Sequence, residues 1–126
     1  MATMEQRRVF LSCGLVINPI SGEQEIVVLP GRDDHSLGTE IYNVAANYWR
    51  GGVDFPVEAR YVTVAQDGGN SFYALGGYDS AGNPDAYLDT IYQFDENTYD
   101  FILLEQRLPY GAYNGFGMMV AQQNVE

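Results

Sequence analysis

One histidine and one cysteine limit the reactive side chains of this sequence. His35 lies in the run Arg32-Asp33-Asp34-His35-Ser36. Carboxylates beside an imidazole raise its pKa and orient it, as a general base requires. The same run reads as a solvated loop following a strand, and no Ser-His-Asp or Cys-His set follows from spacing, so no catalytic residue is expected. Cys13 stands in an apolar strand, where a thiol is usually a small buried hydrophobe. A lone cysteine allows neither an internal disulfide nor a cysteine zinc site. The run Asp79-Ser80-Ala81-Gly82-Asn83-Pro84-Asp85 alternates oxygen-bearing side chains as calcium loops do. It lacks the later bidentate Glu and has Ala81 at a ligand position, so it reads as a flexible loop and no metal is expected. The glycine pairs have neither the spacing nor the Lys of a phosphate loop, and no cofactor is expected.

Composition narrows the partners. The chain has 126 residues, of which 46% are hydrophobic and 18% charged, enough to bury a core. Its 17 acidic residues outweigh 6 basic ones, giving a net charge of −11. All the bases are Arg. Nucleic acid and anionic membranes need clustered positive charge, so neither is an expected partner. The longest strongly apolar run, residues 13–20, is far below the roughly 20 residues of a membrane span. The polar start of the chain and the Asn18-Pro19 break read poorly as a signal peptide. Together with the lone cysteine, this leads us to expect a cytoplasmic protein.

The chain repeats itself. Thr39-Glu40-Ile41-Tyr42-Asn43-Val44 matches Asp89-Thr90-Ile91-Tyr92-Gln93-Phe94 at an offset of 50, and Asn47/Asn97 and Trp49/Tyr99 keep that offset. Ile26-Val27-Val28-Leu29-Pro30-Gly31 matches Phe72-Tyr73-Ala74-Leu75-Gly76-Gly77 at an offset of 46, and Phe55-Pro56 matches Leu108-Pro109 at 53. A period near 50 signals a repeat architecture, and the drift in offset is what loop insertions produce.

Each copy reads as four short strands. They are expected near residues 9–16, 25–29, 38–44 and 48–51, then 61–66, 71–75, 87–94 and 99–104. A further candidate, 116–122, begins a third copy. Turn-forming runs separate them, of which Asp67-Gly68-Gly69-Asn70 is the strongest hairpin signal. Ile41, Val44, Ala45, Tyr48 and Trp49 also have amphipathic-helix spacing. The β-branched and aromatic Thr90-Ile91-Tyr92-Gln93-Phe94 of the second copy decides for two strands and a turn, because copies of one unit share a conformation.

The repeat resembles the kelch motif, a blade of a β-propeller. That motif has a strand ending in a double glycine, a later Tyr, an aromatic some residues further on, and a Pro-containing turn. Gly76-Gly77, Tyr92, Tyr99 and Leu108-Pro109 match it in the second copy, and Gly31, Tyr42, Trp49 and Phe55-Pro56 in the first. Pro30 replaces one glycine and Tyr99 replaces the tryptophan. The similarity covers roughly residues 8–122. It implies an all-β chain: blade 1 at about 8–56, blade 2 at about 57–109 and an extra strand at about 115–122. It also implies structural roles for the motif residues. The glycines would permit positive φ and close approach, and the aromatics would stack between blades. A copper site of the galactose-oxidase type needs two histidines, which this chain lacks.

A propeller closes with about four to eight blades. Two blades and a strand leave apolar faces at both ends, so a ring is expected to be completed by oligomerisation, for example as a trimer, or by the remainder of a longer propeller. The expected function is a non-enzymatic scaffold binding a protein partner. The alternatives are a small-ligand or enzymatic propeller with a shared central site, and a structural self-assembling protein. The equivalent loops with Arg32, Asp33, Asp34 and His35, and with Tyr78, Asp79, Asn83 and Asp85, are the expected contact face, since propeller loops on a rigid scaffold carry binding.

Overall fold

The computed structural model describes residues 12–30, 38–57, 59–79 and 87–109. Among them there is no helix. The strands are β1 (Cys13–Ile17), β2 (Gln24–Val28), β3 (Glu40–Asn43), β4 (Tyr48–Gly51), β5 (Ala59–Arg60), β6 (Thr63–Gln66), β7 (Phe72–Leu75), β8 (Tyr78–Asp79), β9 (Thr90–Asp95) and β10 (Asp100–Arg107). Two four-stranded antiparallel sheets result, ordered β1-β2-β3-β4 and β10-β9-β7-β6. The eight principal strands fall where the repeat places them. The helical spacing over 41–49 is overridden by a hairpin, β3-turn-β4. A short pairing of β5 with β8 has no counterpart in the expected strands. The strand expected at 116–122 lies outside the described residues.

The two sheets share their hairpin chemistry. Asn43 pairs with Tyr48 and Asp95 with Asp100, each across a four-residue turn. In each, the first side chain caps the turn: Asn43 Oδ1 accepts from the Ala46 amide (2.8 Å) and Asp95 Oδ1 from the Asn97 amide (2.9 Å). The last turn residue is left-handed in both, Asn47 at φ 52° and Tyr99 at φ 57°. The structural equivalents in this hairpin are therefore Asn43/Asp95 and Asn47/Tyr99, two residues out of step with the sequence match of Tyr42 to Tyr92. A slip of two preserves the face a side chain occupies, because strands alternate with period two.

The sheets stack face to face. From the first come Val16, Val27 and Ile41, and from the second Phe72, Ala74, Tyr92, Phe94 and Phe101; Phe55, from the connection, joins them. Phe72 and Phe94 stack at 4.9 Å, and Phe101 meets Phe94 and Phe55 edge-on at 5.1 and 5.0 Å. Offset-stacked and edge-on pairs at these distances add to the burial of their area. Gly14 lets the sheets come this close: a Cβ there would lie 2.4 Å from the Phe72 ring. Strands β1 and β6 lie beside each other at the join. The Gln66 side chain accepts from the Leu15 amide (2.8 Å) and donates to the Leu15 carbonyl (2.9 Å), and the Ile17 amide donates to the Asn70 carbonyl (2.9 Å). Cys13 is exposed rather than buried, because Gly14 and Val16 take the face turned to the second sheet and Cys13 and Leu15 the other.

Gly14→Ala is expected to lower stability by about 1–3 kcal/mol through overpacking against Phe72. Gly51→Ala, with nothing within 4 Å of the added methyl, should stay within about 0.5 kcal/mol of the parent. Urea midpoints at constant m-value read both.

Candidate functional site

The alternation that buries Val27 also buries Glu25, two residues earlier on the same face, at 1% exposure. An isolated carboxylate there would be strongly disfavoured, so it must be ionised and paired or else neutral. Five hydrogen bonds satisfy it. Arg50 on β4 donates twice, Nη1 to Oε2 (2.5 Å) and Nη2 to Oε1 (2.9 Å). Asn43 Nδ2 donates to Oε2 (3.1 Å) and Asn18 Nδ2 to Oε1 (3.2 Å). The Tyr99 hydroxyl donates to Oε1 from the other sheet. The Arg50 guanidinium also lies over the Tyr99 ring, 5.6 Å from its centroid, a cation–π distance.

Electrostatics follow from these contacts. The Arg50 guanidinium outweighs the opposing effect of burial and, helped by Tyr99, Asn18 and Asn43, holds the Glu25 carboxyl at a pKa of about 2. Burial, reinforced by the bond to Glu25, pushes the Tyr99 phenol up to about 12. Arg50 is held above its ordinary value by Glu25. Near neutral pH each group is thus fixed in one protonation state: Glu25 accepts, while Tyr99 and Arg50 donate. Proton exchange at that pH needs a group titrating close to it, so the arrangement acts as a latch between sheets. Beside it Asn18, Pro19, Ile20, Glu96, Asn97 and Thr98 border an open cleft of about 170 Å³, below the roughly 300–1,000 Å³ of most small-molecule sites.

The residues expected to matter are dispersed. Tyr42 and Trp49 pair across β3 and β4 with rings 5.0 Å apart, on the face of the first sheet turned away from the second. The Tyr42 hydroxyl donates to Asn47 Oδ1 (2.6 Å). Tyr92 lies in the shared core, edge-on to Phe55 at 5.3 Å, and Tyr99 is edge-on to Phe94, also at 5.3 Å. Gly76 and Gly77 both take positive φ, 61° and 112°, at the end of β7. Tyr78 meets Tyr87 across an isolated bridge with rings 5.7 Å apart, and the Asp79 backbone pairs with Ala59. Gly31, Arg32, Asp33, Asp34, His35, Asn83 and Asp85 lie outside the described residues.

Glu25, Arg50 and Asn18 were not singled out from sequence. The available signal was Glu25 in phase with Val27 and Leu29, an acid on the apolar side of a strand. Among the described residues, no group of three or more His, Cys, Asp or Glu side chains could hold a metal ion, and no helix is long and apolar enough to cross a membrane. Comparison with protein-family models and with curated proteins finds no match for this sequence.

Glu25→Gln is expected to cost about 2–3 kcal/mol, because it leaves Arg50 without its counter-charge. Since the folded pKa lies below the ordinary 4.5, the stability due to ionisation is fully present above about pH 4.5 and is lost as the pH falls towards 2. The stability gap between parent and Glu25→Gln should narrow over that interval, as read by denaturant titrations at stepped pH.

Proposed function

We propose that this protein is a non-enzymatic scaffold of the kelch β-propeller type, which binds a protein partner through its inter-strand loops. The observation that carries the reading is the stacking of two four-stranded meanders with the same turn chemistry, packed face to face with β1 and β6 side by side. Successive propeller blades stack in this way, with short strands radiating from an axis. The polar cluster between the sheets supports the same reading, because its protonation states are those of a structural latch.

The partner chemistry rests on charge. A chain of net charge −11 favours a basic protein surface, and a rigid β scaffold presents its loops for contact. In sequence, Asp33 and Asp34 fall between β2 and β3, Asp79 ends the short strand β8, and Asp85 falls between β8 and β9. A defined arginine-rich peptide, titrated by fluorescence anisotropy, is the probe. Converting these four aspartates to Asn should weaken binding at least tenfold. Converting Glu23, Asp67, Glu96 and Asp100 to their amides removes as many charges elsewhere and should change it less than threefold. Equal losses in both sets would mean diffuse attraction and would sink the loop face.

A further inference from the structure

The longest strand of the described residues, β10, ends its sheet. One side of it pairs with β9 over residues 100–103 and again at Arg107, after a register shift. Among the described residues, no backbone hydrogen bond reaches its other side. The Phe101 amide donates to Asp100 Oδ1 (2.8 Å), which marks that open side. Leu103, two residues on, turns its amide and carbonyl the same way, because strand backbone groups alternate in direction.

The side chains along this edge are open as well. Phe101 is buried against the core, and Leu103 follows it in phase on the same face yet is 47% exposed. Ile102, on the opposite face, is 44% exposed. An unpaired edge with apolar side chains on both faces is a template for a further strand. Charge decides which strand. Phe94 and Phe101 take the core side, so Asp95 and Asp100, the next pair along, turn to the other face. Arg107 of the same strand already faces Asp89 at 3.7 Å. A second copy would bring its own acids and a net charge of −11 against this edge, and like charges across strands are destabilising. A basic segment meets the opposite situation.

The geometry points to β10 as the docking edge for an extended segment of a basic partner, which adds to the second sheet as a further strand beside Phe101–Leu103. The segment alternates apolar and basic residues. Its apolar side chains cover Leu103 on the core side, its basic side chains lie over Asp95, Asp100 and Ile102 on the other, and its backbone bonds the open groups of Phe101 and Leu103. Main-chain bonds supply affinity in such additions, and the alternate side chains supply selectivity. This contact does not depend on the acidic loops proposed above.

The probe is a fluorescently labelled peptide of alternating arginine and valine, titrated into the full chain by anisotropy. It should bind, and a twin with glutamate in place of arginine should bind at least tenfold more weakly. Residues opposite Phe101 and Leu103 share their face and point their amides at β10, so these are the valines. Methylating the valine amides should therefore weaken binding at least tenfold, whereas methylating the arginine amides, which point to solvent, should change it less than threefold. Leu103→Pro removes the open donor on an edge strand, where proline is tolerated, and should match the loss on valine methylation with the far-UV circular dichroism unchanged. Should that variant lose its β signal, the methylated peptides decide, since they leave the protein untouched. A peptide that fails to bind, equal affinities for the two methylated twins, or equal affinities for the arginine and glutamate peptides overturns the proposal. So does self-association of the free chain, read by light scattering above 14.0 kDa, that Leu103→Pro abolishes, because a second copy would then hold the edge. Repeating the methylation pair on the chain with Asp33, Asp34, Asp79 and Asp85 converted to Asn reads the edge apart from the loops, and the difference between the twins should persist there.

Discussion

The requirement that shapes this protein is that a carboxylate buried between two sheets must have its oxygens satisfied. Glu25 is 1% exposed and accepts five hydrogen bonds. Four come from its own sheet and the neighbouring turn, through Arg50, Asn43 and Asn18. The fifth comes from Tyr99 of the other sheet, and it ties the position of the second sheet to a charge in the first. The hydroxyl is delivered from a left-handed backbone at φ 57°, a conformation that costs a bulky residue about 1–2 kcal/mol. In the equivalent turn Asn47 takes the same conformation at lower cost, since Asn tolerates it, and its side chain serves Tyr42 within its own sheet.

Around this polar point the sheets are held by area and shape. Phe72, Phe94 and Phe101 form one aromatic layer against Gly14, Val27 and Ile41. Burial of such rings is worth more than the polar cluster, yet it is non-directional. Direction comes from Gly14, which fixes how near the layer sits, and from Glu25, which fixes its lateral position. A charge is a costly way to add stability but a selective one, since a misaligned sheet would leave it unpaired.

Much of the architecture was legible in the sequence because strand alternation and turn residues are local. The repeat placed all eight principal strands, and the second copy resolved the helical spacing around Ile41 to Trp49 in favour of a hairpin. Register was less legible. Matching Tyr42 to Tyr92 and Trp49 to Tyr99 follows residue identity, whereas the turns align Tyr42 with Phe94, Trp49 with Phe101 and Asn47 with Tyr99. Identity misleads here because a two-residue slip conserves the face, so no burial penalty marks the error. The Glu25 cluster was illegible for a different reason. Its partners Asn18, Arg50 and Tyr99 come from separate turns and strands, and only packing brings them together. Cys13 shows the limit of composition: its neighbours are apolar, yet its phase on β1 turns it outward.

The two four-stranded sheets are thus locked to each other by a contact between Glu25 and Tyr99. A double-mutant cycle measures that contact directly, using the unfolding free energies of the parent, Glu25→Gln, Tyr99→Phe and the combined variant at neutral pH. A coupling energy of about 1–3 kcal/mol is predicted, because the bond joins a charged acceptor to a buried hydroxyl. A coupling within about 0.3 kcal/mol of zero, with both single variants folded, is what independent sites give and would contradict the claim.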